Sequence, residues 1–208
     1  MLSPETALSF FGVAVLLGLS PGPDNLFVLL HSAMHGRKAG MSVVLGLCTG
    51  LLVHTAAVAL GVAAVFAAST TAFTVLKLCG AAYLVYLAFQ AFRAPVGMQT
   101  DAPRPPLGAW QGYGRGVIMN LSNPKVVVFF LAFLPQFAHP EAGSLPVQML
   151  LLGGIFIVAT LLTFGAIACF AGTFGAILRR SPRVQRGLNW AAGTVFLGLA
   201  LRLANAER

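Results

Sequence analysis

Six apolar runs, each of roughly the length a helix needs to cross a bilayer, restrict this chain more than any other feature. A hydrocarbon core of about 30 Å takes about 20 helical residues. The runs are Glu5–Leu30, Gly40–Ala67, Thr71–Phe92, Gly116–Phe137, Leu145–Leu178 and Leu188–Ala204. Lipid offers backbone amides and carbonyls no partner, so such runs are expected to be helices. Composition agrees. Of 208 residues, 58% are hydrophobic and 9% charged, whereas a soluble domain carries about 25% charged residues. That is too little polar surface to cover a core in water. A soluble enzyme and a disordered tail are excluded. The net charge of +8 does not signal nucleic acid, because the basic residues are scattered through short connections and form no stripe.

Those connections set the expected orientation. Arg37 and Lys38 follow the first run, Arg93, Arg104 and Arg115 the third, and Arg179, Arg180, Arg183 and Arg186 the fifth. The other side has Arg202 and Arg208 near the C-terminus and no Lys or Arg in 68–70 or 138–144. By the positive-inside rule, the nine face the cytoplasm and both termini lie on the non-cytoplasmic side. The first run is read as a membrane helix and not a cleaved leader, since no Lys or Arg precedes it and Pro21 would follow the cut. Cys48, Cys79 and Cys169 lie in apolar runs without a CxxC pair and are expected to be small buried hydrophobes.

Six runs divide into three plus three. Residues 1–92 form one expected repeat, 93–115 a cytoplasmic linker, and 116–208 a second repeat entering the membrane from the opposite side. The first run of each half is interrupted by proline beside a charge. One reads Ser20-Pro21-Gly22-Pro23-Asp24-Asn25 and the other Asn120-Leu121-Ser122-Asn123-Pro124-Lys125. Proline removes a backbone donor and clashes with the preceding turn, so each break frees polar backbone groups. Such groups persist at membrane depth where protein or a water-filled cavity satisfies them. The expected fold is therefore an all-α polytopic membrane protein of six helices, a 3+3 inverted repeat with broken helices one and four. Transporters of that design hold their sites at the breaks.

Asp24 is the one acidic residue well inside an apolar run, and Lys125 lies near the expected midplane. An ammonium there costs at least about 2.5–3.5 kcal/mol, so it needs an interior partner. Two readings stay open. Asp24 and Lys125 neutralise each other as a structural pair, or they flank a cavity that receives the amino and carboxylate groups of a zwitterion. The candidate substrate-binding residues are Pro21, Gly22, Pro23, Asp24, Asn25, Asn120, Asn123, Pro124 and Lys125. Asp24 and His54 are the candidate proton carriers. Lys77 is expected to snorkel toward the interface. His31 and His35 have no Cys, Asp or Glu nearby to complete a metal site. No metal or cofactor is expected. The pairs Gly36/Gly40, Gly46/Gly50 and Gly112/Gly116 point to close helix packing.

These segments, with Lys77-Leu78-Cys79-Gly80-Ala81-Ala82-Tyr83-Leu84, Phe129-Phe130 and Pro135-Gln136-Phe137, resemble the LysE/RhtB amino-acid exporter family over nearly the whole chain. The resemblance implies proton-driven efflux of an amino acid or derivative across the bacterial inner membrane, such as lysine, homoserine, threonine or a cysteine-pathway metabolite. The family's paired motifs fall on Pro21, Gly22, Pro23 and Asp24 and on Asn123, Pro124 and Lys125. Expected partners are a small zwitterionic amino acid, protons, the lipid bilayer and, as an open option, a second copy of the chain. Two alternatives stand beside this. An exporter of a metal cation or other inorganic ion on a related scaffold would want several acidic or thiolate ligands in its spans. An intramembrane enzyme would want a nucleophile with its base, and the sequence offers neither set. The absence of a P-loop excludes ATP hydrolysis on this chain.

Overall fold

The structure, a computed structural model, describes residues 2–20, 22–68, 70–94, 107–173 and 181–205. The principal elements are α1 (Pro4–Leu19), α2 (Pro23–His35), α3 (Arg37–Ala68), α4 (Thr70–Arg93), α5 (Ala109–Leu121), α6 (Pro124–Val128), α7 (Leu145–Cys169) and α8 (Pro182–Ala204). No strand occurs among the described residues. Behind α6 the chain winds on through a π turn, Phe129–Phe133, and a 3-10 turn, Leu134–Phe137.

Proline chooses where these helices start. Pro4, Pro23, Pro124, Pro146 and Pro182 all occupy first-turn positions, where a missing N–H costs nothing and φ is already helical. The Ser3, Asn123 and Ser181 side chains accept backbone N–H groups as N-caps. At the other end of α2, Gly36 adopts φ 87°, a conformation that favours glycine. Arg37 can then begin α3 directly.

Among the described residues, three stretches are long and apolar enough to cross a membrane: Arg37–Gly61, α7 and α8. Two bent pairs qualify together, α1 with α2 at 64° and α5 with Pro124–Phe137 at 50°, which gives up to five. Helix α4, 24 residues long, occupies the position of the third expected span. Several boundaries differ from those read in the sequence. The first span runs on to His35 as two helices, because capping by Gly22 and Pro23 restarts the chain. Arg37 and Lys38 belong to the first turn of α3. Residues 109–115, expected at the end of the linker, are helical. Arg183 and Arg186 lie in the first turns of α8. Residues 95–106 of the linker and 174–178 of the fifth run lie outside the described residues.

Helix α3 packs on α5 and α7, α4 on α8, α1 on α7, and α2 on α3. Glycines set the closest of these approaches. A Cβ on Gly46 would run into the Tyr113 carbonyl, and one on Gly116 into the Val43 carbonyl. One on Gly112 would come within 2.6 Å of the Ser42 hydroxyl, and one on Gly50 within 2.6 Å of the Asn120 amide oxygen. Beside this seam sits an aromatic core. Phe10, Phe129, Phe130 and Phe133 are completely buried, and Phe10 meets Phe137 edge-on with centroids 5.0 Å apart. Truncating the central ring, Phe129→Ala, should cost about 3–5 kcal/mol through lost contacts and the cavity left behind. A marked fall in the detergent melting temperature would register it. Outside, Leu8, Leu60, Ile118, Leu162 and Phe170 are 58–80% exposed, an apolar surface suited to lipid. Cysteine placement corrects one expectation, since Cys48 is buried whereas Cys79 and Cys169 face outward.

Candidate functional site

The two breaks meet. Asp24, in the first turn of α2, is 3% exposed, and Lys125, in the first turn of α6, is 6% exposed. The Asn123 side chain joins the halves, its Nδ2 donating to both Asp24 carboxylate oxygens at 2.6 and 2.5 Å. Its Oδ1 meanwhile accepts the Lys125 backbone N–H at 3.0 Å and so caps α6. Lys125 Nζ reaches across to the C-terminal end of α1, donating to the carbonyls of Leu17 at 3.3 Å and Ser20 at 3.4 Å. Gly22 permits this, because a Cβ there would lie 3.2 Å from Nζ.

Electrostatics explains why two charges survive at this depth. The carboxylate sits at a helix N-terminus and the ammonium at a helix C-terminus, where the backbone dipole favours each. Hydrogen bonds to charged groups are worth about 1.5–3 kcal/mol each. Asp24 and Lys125 line one cavity without bonding to each other, each held by its own partners. Neither is saturated. The ammonium has three donors and uses two here, and the carboxylate retains accepting capacity beyond the two bonds from Asn123.

The cavity itself is small, about 20 Å³, or room for about one water molecule. Its walls include Leu17, Leu47, Phe156 and Phe164 as well as Asn120 and Thr160. Three buried polar atoms around the breaks have no hydrogen-bond partner among the described residues: Ser20 Oγ, Asn25 Oδ1 and Asn120 Oδ1. Each such group costs about 1–3 kcal/mol unless something satisfies it. Of the three residues, Asn120 is the one that lines the cavity.

Not every residue expected at the site belongs to it in the same way. Asp24, Asn120 and Lys125 line the cavity, and Asn123 bridges it from behind. Gly22 supplies clearance, and Asn25 Nδ2 stitches the first break by donating to the Gly18 carbonyl at 2.5 Å. Pro23 and Pro124 are exposed and act as helix starters. Pro21 lies outside the described residues. His54 is half-buried on α3, outside the cavity lining, with Nε2 3.4 Å from the Asn120 carbonyl oxygen and its ring 5.6 Å from that of Phe130. His31 and His35 have ring centroids 4.7 Å apart. Among the described residues no group of three or more His, Cys, Asp or Glu could hold a metal ion.

The sequence matches the LysE type translocator family over residues 7–207. The chain belongs to this family. As a LysE type translocator it is a membrane transporter and not an enzyme. It is 33% identical over 203 residues to the homoserine/homoserine lactone efflux protein of Salmonella typhimurium, covering 98% of each chain. It is 31% identical over 207 residues to an uncharacterized membrane protein of Bacillus subtilis, covering 95% of this chain and 98% of the other. An uncharacterized membrane protein of Vibrio cholerae is 30% identical over 200 residues, with 96% and 97% covered. No solved structure matches.

The wall that α7 gives this translocator was missed in the sequence. Phe156, Thr160 and Phe164 recur every four residues and so share one face of the helix. Helix α7 is apolar all round, so no amphipathic stripe distinguished that face.

Proposed function

We propose that this translocator exports a small amino acid or amino-acid derivative from the bacterial cytoplasm across the inner membrane, by alternating access and with proton coupling. The observation that carries this is the buried Asp24–Asn123–Lys125 cluster at the meeting of two helix breaks, with spare hydrogen-bonding capacity on both charges. In this reading Asp24 takes the substrate ammonium and Lys125 its carboxylate. Efflux of homoserine, named together with its lactone for the Salmonella relative, supports a zwitterionic substrate of this size.

The cavity is too small for an amino acid as it stands. Substrate entry then requires the two breaks to move apart on one side at a time. The pattern of packing supports an inverted repeat of six spans, with α4 as the third. Exchanging the halves converts the α3–α5 contact into the α7–α1 contact, while α3–α7 and α4–α8 map onto themselves. The basic residues of the connections hold the linker side in the cytoplasm and both termini outside. One charge moving down about 100 mV releases about 2.3 kcal/mol, enough for modest uphill export. Asp24 is the first candidate to carry that proton and His54 the second.

Inside-out membrane vesicles containing the protein, energised and offered a panel of labelled amino acids, test this. Saturable accumulation of one compound class, lost on adding an uncoupler, is expected. Indifference to the whole panel would overturn the proposal.

A further inference from the structure

Three arginines gather at one end of the α4–α8 pair. Arg93 is the last residue of α4, and Arg183 and Arg186 lie in the first turns of α8. The two helix ends are fixed to each other. Asn189 Nδ2 donates to the Ala94 carbonyl at 3.3 Å, and the Phe92 ring packs over Gly193 while meeting Trp190 edge-on with centroids 5.2 Å apart. All three arginines are exposed. No ion pair among the described residues engages them, and neither helix contains an Asp or Glu.

The surroundings of these cations are graded along the helices. Arg183, Arg186 and Trp190 follow at intervals of three and four residues and so share one face of α8. Trp190 lies about 6 Å further along the helix than Arg186, and beyond it Leu197 is also exposed. On α4, Arg93 folds back along its own helix, its guanidinium 4.2 Å from the centroid of Phe89, a ring that is itself 52% exposed. Exposed tryptophan in a membrane helix belongs at headgroup depth. Guanidinium groups therefore stand at the level of lipid phosphates, with apolar side chains next to them at the level of the acyl chains. Orientation in the membrane requires only charge on one side. It does not require a guanidinium laid against a lipid-facing ring, and the arginine fork matches a phosphate bidentately.

We propose that this end of α4 and α8 is a binding site for an anionic phospholipid, its phosphate held by Arg93, Arg183 and Arg186 and its acyl chains lying along Phe89 and Trp190. The site is separate from the cavity at the breaks and stands or falls independently of the substrate reading. Basic pockets between membrane helices recruit anionic headgroups, each arginine contributing about fivefold.

Trp190 can report on its own neighbour. The chain has two tryptophans, so Trp110→Phe leaves Trp190 as the single fluorophore. This protein is reconstituted in vesicles of phosphatidylglycerol and phosphatidylcholine in which one lipid or the other carries bromine on its chains, and quenching is followed as the brominated fraction rises. The relative affinity for phosphatidylglycerol over phosphatidylcholine should be at least about tenfold, and Arg93→Gln with Arg186→Gln should lower it at least about fivefold. Arg37→Gln with Lys38→Gln, which removes the same charge from α3, should leave it unchanged. Size exclusion in detergent checks that each variant is folded. A ratio near one in the starting protein overturns the proposal, whether or not any variant folds. So does a ratio that survives the Arg93 and Arg186 changes, or one that falls equally on changing Arg37 and Lys38, which would show general surface charge instead of a site.

Discussion

Asp24→Asn should abolish gradient-driven export, by at least about 100-fold, while counterflow exchange persists at substrate concentrations high enough to offset the weakened binding. Among the described residues the carboxylate is the one acidic group in the cavity lining, and in the proposed mechanism neutralising it removes the site that alternately binds a proton and a substrate ammonium. The amide also meets Asn123 badly. Asn123 Nδ2 donates to both oxygens of Asp24, whereas an asparagine at 24 offers one acceptor and turns a donor toward a donor. Breaking one partner of a buried charged set costs about 3–5 kcal/mol, so protein level and folding must be measured alongside transport. Equal loss of export and exchange, in protein that remains folded, would remove Asp24 from the coupling role and direct attention to His54.

Gly46→Val should be as severe for a different reason. The Gly46 position faces the Tyr113 carbonyl, the Val117 amide nitrogen and Gly116 Cα. These are backbone atoms that cannot swing aside, so α3 and α5 must separate. Overpacking costs about 1–3 kcal/mol, and more where nothing can yield. Because α5 carries Asn120 at its last turn and leads into Asn123, the separation also pulls the second break away from α3. Gly61→Ala is the control: that site has open space around it, and alanine is the better helix former. The expected result is little folded Gly46→Val protein by size exclusion in detergent, against normal recovery of Gly61→Ala.

How much of this could be read from the sequence follows from where its signals reside. Proline beside a charge inside an apolar run is a local contradiction, and Pro23-Asp24 and Asn123-Pro124-Lys125 announced both breaks. Paired glycines likewise foretold a close helix approach, which the α3–α5 seam bears out at Gly46, Gly50, Gly112 and Gly116. Four features were not legible. Asp24 and Lys125 take separate hydrogen-bond partners, Asn123 for one and the α1 carbonyls for the other, and tertiary placement alone decides those partners. Asn123 was expected among the binding residues, but its bridging role depends on tertiary placement. Thr160 sits in an unbroken apolar run, where a lone threonine resembles any other helix residue. The extension of the first span to His35 went unseen because polar residues such as His31 and Ser32 ended the apolar count, although both are buried.

The central claim is that Asp24 and Lys125 divide the two charges of one substrate between them. Homoserine and its lactone separate those contributions, since both keep the amino group while ring closure removes the free carboxylate. The decisive measurement is binding of each compound to purified Lys125→Met and Asp24→Asn protein, relative to wild type. The account predicts that Lys125→Met weakens homoserine at least about tenfold more than the lactone, while Asp24→Asn weakens both alike. Equal losses for the two compounds in Lys125→Met would contradict it.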